Sequence, residues 1–91
     1  MEGSMSYAAV KTLAREHPDW LVVVKGCYEI AGEFHEFKGK YVRERVGWFP
    51  GLTILVRYGI LRKVRSVATG AWYTMPDRVG VGRALGELGY L

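Results

Sequence analysis

A chain of 91 residues has room for one modest hydrophobic core, and a hydrophobic fraction of 49% without any low-complexity segment excludes wholesale disorder. Its longest apolar runs, from Trp20 to Val24 and from Leu52 to Val56, are far too short to cross a bilayer, so no membrane role is expected. The net charge of +4 hides an asymmetry: between Lys38 and Arg65 eight bases accompany one acid, Glu44, whereas the remainder carries five bases and eight acids.

Such an imbalance over one segment points to a polyanionic partner. The single cysteine, Cys27, excludes an internal disulfide and suits a reducing, cytoplasmic setting. The first residues lack a basic start followed by an apolar stretch, so no secretory leader is expected. Gly3-Ser4-Met5 has the look of a cloning remnant. Residues 1–5 are therefore set aside as a tag remnant or disordered start, and 6–91 are taken as one domain.

In chain order, Ser6 is suited to cap a first helix over 6–17, with Tyr7, Val10, Leu13, Ala14 and His17 on one side and Pro18 as its stop. Asp19 is placed to cap a second segment over 19–37. Its β-branched start fits a strand, yet Trp20, Val23, Cys27, Ile30, Ala31 and Phe34 form a helical stripe, and helix is the favoured reading. Gly26 and Gly32 count against it.

Lys38-Gly39-Lys40 reads as a turn. A short helix over 41–47 follows, with Tyr41, Val42 and Val46 inward, Arg43, Glu44 and Arg45 outward, and Gly47 as terminator. Trp48 and Phe49 are expected to plug the core at the next turn. Pro50 suits the first position of a helix over 50–59 that Gly59 ends, its core face carrying Leu52, Leu55, Val56 and Ile60.

From Leu61 the period changes to that of strands. Residues 61–67 and 71–75 read as a β-hairpin linked by Ala68-Thr69-Gly70, with Lys63 and Arg65 on one face and Arg62 on the other. A last helix follows Pro76, capped by Asp77 and burying Val81, Leu85 and Leu88. Gly80, Gly82 and Gly86 each weaken it by about 1 kcal/mol, so it needs a surface to lean on.

From about Asp19 to Gly89 the succession KYVRERVG, WFPG, LTILVRYGIL and RKVRSVATGAWYTMP resembles a winged helix-turn-helix domain of the prokaryotic transcription-regulator kind. The resemblance implies an α+β fold, mostly helical, with a β-hairpin wing in the C-terminal half and a final helix. It implies that LTILVRYGIL enters a major groove while the wing touches backbone or minor groove. The function so implied is that of a DNA-binding transcriptional regulator or chromatin-associated factor, displacing a competing protein or compacting DNA locally. A homodimer is expected, its seam formed by Tyr7, Val10 and Leu13 of the first helix with Val81, Leu85 and Leu88 of the last.

A surface for double-stranded DNA needs cations that meet phosphates and side chains that reach base edges. Arg43 and Arg45 on the short helix, Arg62, Lys63 and Arg65 on the wing, and Lys38 and Lys40 before them answer the first need. Five or six such contacts give a salt slope of roughly −5. For the second, the outward residues of the recognition helix are Thr53, Arg57 and Tyr58. Arg57 suits guanine, Thr53 a thymine methyl and Tyr58 a phosphate, while the absence of asparagine and glutamine removes the usual adenine contact.

The segment is thus well made for backbone attraction and thinly equipped for base discrimination. The alternatives are an Arg57 paired with Glu44, and a winged domain used as a protein-interaction module through Leu52, Ile54 and Tyr58. Cys27 is expected in the core. His17 and His35 have no partner at ligand spacing, and no catalytic triad or phosphate-cradling loop is recognisable, so neither enzyme activity, metal nor cofactor is expected.

Overall fold

A computed structural model describes residues 5–91, so the expected remnant, Met5 excepted, lies outside the described residues. Helix α1 (Met5–Glu16) leads through a 3-10 turn (Pro18–Trp20) into α2 (Leu21–Ala31). Strand β1 (Phe37–Lys38), α3 (Gly39–Val46) and α4 (Thr53–Arg57) follow, then β2 (Arg62–Val67), β3 (Gly70–Thr74) and α5 (Arg78–Glu87). The fold is α+β, and its three antiparallel strands run in the order β1-β3-β2.

The two terminal helices pack on each other. Val10 and Leu13 of α1 and Val81 and Leu85 of α5 are fully buried within the single chain. The seam expected between two copies is therefore spent inside one, each such side chain contributing about 1.5–3 kcal/mol by leaving water. Tyr7 donates its hydroxyl to Glu87 at 2.5 Å, and Lys11 reaches the same carboxylate at 2.9 Å. Asp77 caps α5 as expected, accepting from the Gly80 N–H at 3.0 Å. Ser6 is not a cap: it lies inside α1, buried, and donates to the Gly59 carbonyl at 3.2 Å.

The helical reading of the second segment holds for its start but overshoots its end. Asp19 falls inside the 3-10 turn, and no side chain caps α2. The helix stops at Ala31, where the Gly32 N–H turns back to the carbonyls of Glu29 and Ile30. Phe34 thereby leaves the buried stripe and is 55% exposed. Phe37, fully buried, instead enters the sheet opposite Tyr73. Lys38-Gly39-Lys40 is accordingly no free turn, since Lys38 ends β1 and Gly39 and Lys40 open α3.

In α3 Val42 is buried and Val46 partly so, whereas Tyr41 is 39% exposed rather than inward. Gly47 ends the helix at φ 92°, a conformation that costs glycine little, with its N–H on the Arg43 carbonyl. Helix α4 is shorter than expected. Gly51, at φ 149°, keeps Pro50 outside it, and only Thr53–Arg57 are helical before Gly59 turns the chain. Leu52, Leu55 and Ile60 are buried as expected, with Val56 at the core's edge. Of the pair at the turn, Phe49 plugs the core, edge-on to Trp20 at 6.3 Å, but Trp48 does not.

The hairpin forms where expected, around Ala68 and Thr69. Its register runs Lys63 opposite Tyr73 and then Arg65 opposite Trp72, with Val64 as the extra residue of a bulge. Residues directly opposite share a face. Lys63 therefore lies on the Tyr73 side and Arg65 on the Trp72 side, which corrects the expectation that both share one face.

Candidate nucleic-acid interface

Between the start of α3, the turn before α4 and the hairpin lies a cleft of about 150 Å³ whose wall includes Lys38, Lys40, Arg43, Thr69 and Tyr73. Strand pairing places Lys38: it sits opposite Trp72, with its ammonium 5.4 Å from that ring and donating to the Thr69 hydroxyl at 2.8 Å. The next turn of chain brings Lys40, near Tyr41, and one helical turn further Arg43, whose guanidinium lies 5.1 Å from the Phe49 ring. Among the described residues none of these three cations has a carboxylate partner. The N-terminus of α3 has no side-chain cap, so its backbone N–H groups add to the positive potential there.

Gly51 lines this cleft and also an adjoining groove of about 290 Å³. That groove carries Thr53 and Arg57, with Trp20, Pro50 and Ile54. Thr53 and Arg57 are four apart on α4, exposed and side by side. The alternative Arg57–Glu44 pair does not form among the described residues. A cationic track thus runs from Thr69 and Lys38 past Lys40 and Arg43 to Gly51, and on to Arg57.

Other expected contacts lie off the track. Arg45 turns to α2 and pairs with Glu29 at 3.2 Å and Glu33 at 3.7 Å. Arg65 pairs with Glu36 at 2.6 Å and rests over Trp72. Exposed pairs of this kind are worth about 0–1 kcal/mol, yet each still cancels the charge a phosphate would meet. Tyr58 is half-buried and bonds Glu16, which pushes its phenol pKa up. Arg62 and Lys63 are exposed and without carboxylate partners among the described residues, Lys63 on the sheet face of Tyr73.

Of the residues named for the protein-module alternative, Leu52 is buried and Tyr58 is engaged by Glu16, while Ile54 lines the groove beside Arg57. Cys27 is core, as expected, and burial pushes its thiol up to about 12, which leaves it unreactive. Thr69 was not expected at the site. Its only signal was its place in the hairpin turn, which says nothing of Lys38 lying across from it.

No family model, curated protein or solved structure matches this chain.

Proposed function

We propose that the chain is a DNA-binding protein of winged-helix plan, with α3 and α4 as the helix-turn-helix and the β2–β3 hairpin as the wing. Its role would be that of a transcriptional regulator or chromatin-associated factor. The observation that carries the reading is the cleft, where Lys38, Lys40 and Arg43 gather without a carboxylate among the described residues. Like charges gathered in one cleft repel, and a polyanion relieves that repulsion while releasing its own counterions.

The residues of the site suit the duplex backbone better than base edges. Helix α4 has barely more than one turn, and Arg57 is its only long base-reading side chain. Affinity would come from phosphates, with a modest preference for guanine where Arg57 reaches the groove. The experiment that tests the reading is the salt dependence of binding to duplexes of random sequence. Affinity that falls steeply with salt supports it, and failure to bind at low ionic strength removes it.

A further inference from the structure

Phosphate attraction does not account for Trp48. At 82% exposure it is the most exposed aromatic side chain among the described residues. It borders a groove of about 230 Å³ with Trp20, Phe49, Pro50 and Asp19. Phe49 lines both this groove and the Lys38–Lys40–Arg43 cleft. Trp20 and Pro50 line both this groove and that of Arg57. Three depressions therefore meet around Phe49, Pro50 and Gly51, and between them they carry both rings and cations. Arg43 lies over Phe49, and Phe49 stands edge-on to Trp20.

We propose that this surface takes DNA at a junction of paired and unpaired strand, with Trp48 stacking on an unpaired base while Lys38, Lys40 and Arg43 hold the phosphates beside it. The inference rests on the DNA-binding reading and names the form of DNA. Inside a duplex every base has both faces covered by its neighbours, so an indole finds no plane to stack on. An unpaired base offers one, and because every base has a π-face the contact is indifferent to sequence. That suits a chain without asparagine or glutamine, in which base-edge readers are few. Among the described residues Asp19 is the only acid on the three depressions, and it borders the Trp48 groove. The cations that meet phosphates therefore come from the adjoining cleft and the Arg57 groove, while Trp48 supplies a ring alone.

The test compares three DNAs of equal phosphate number by fluorescence anisotropy: a blunt duplex, a duplex with a short single-stranded overhang, and the same overhang made abasic. The overhang should bind about tenfold more tightly than either of the others, the value of one base stacked on an aromatic ring. Trp48→Ala should bind all three alike, and Trp48→Phe should keep part of the preference. Because Trp48 is exposed, Trp48→Ala should unfold at the same temperature as the parent, which ties the loss to stacking. The proposal is overturned if the parent binds the three DNAs equally, or if Trp48→Ala keeps the preference. Blunt-duplex binding without that preference removes the junction alone, whereas no binding to any of the three removes the DNA reading with it.

Discussion

Arg65 sits directly opposite Trp72 across the hairpin, its guanidinium 4.8 Å from the ring and bonded to Glu36 at 2.6 Å. Lys38 approaches the same ring from the strand on the other side, at 5.4 Å. Trp72, on the central strand, thus lies between two cations, each such contact worth about 0.5–1 kcal/mol where exposed. Arg65 belongs to the build of the hairpin, while Lys38 has no carboxylate partner among the described residues.

That difference separates variants that look alike in sequence. Arg65→Ala should lower stability by about 1 kcal/mol and leave duplex affinity nearly unchanged. Arg43→Ala should lower stability by about 0.5–1 kcal/mol, the worth of its contact with the Phe49 ring, and weaken duplex binding roughly fivefold to tenfold at about 0.1 M salt, the share of one phosphate contact. Thermal unfolding and anisotropy on both variants check the ranking.

Much of the chain was legible where a local rule sufficed. Gly47 and Gly59 mark helix ends, Asp77 caps α5, and Val23, Cys27 and Ile30 of the expected stripe are core. The hairpin followed from its period. The bulge at Val64 did not, because one extra residue inverts the faces that alternation assigns. Strand β1 is two residues long, too short to show any period. Of the site, the cluster of bases was plain in the sequence, but its division was not. Arg45 and Arg65 find acids 16 and 29 residues away, and only the folded chain brings those together.

Two glycines of α5 should respond to alanine in opposite directions. A Cβ on Gly82 would come within 2.6 Å of the Tyr28 ring. That ring cannot swing away freely, because Arg78 lies 3.9 Å from it and donates to the Tyr28 carbonyl at 2.9 Å. Gly82→Ala should therefore cost about 1–3 kcal/mol. Around Gly86 nothing lies within 4 Å of the added carbon, so Gly86→Ala should gain about 1 kcal/mol from helix propensity alone. Denaturant midpoints of the two variants give the answer.

The pH dependence of stability has two separable arms. Tyr7 and Lys11 hold the Glu87 carboxyl below its ordinary range, so its contribution is present at neutral pH and lost as pH falls through the acid range. Glu87→Gln should flatten that arm. On the alkaline side Cys27, raised by burial to about 12, keeps its proton while an unfolded thiol loses it from about 9.0. The unfolded state then binds fewer protons, and stability falls as pH rises between those values. Cys27→Ala should remove the part of the decline that begins near 9.0, leaving the later part that Lys11 and Tyr58, both raised, supply. Unfolding curves recorded across pH measure both slopes.

The most direct measurement is the slope of log affinity against log salt for a random-sequence duplex, taken on the parent and on a variant with Lys38, Lys40 and Arg43 all changed to alanine. Contacts from those three and Arg57 predict a slope of roughly −4 for the parent and roughly −1 for the variant. A parent affinity indifferent to salt, or a variant with the parent's slope, would contradict the account.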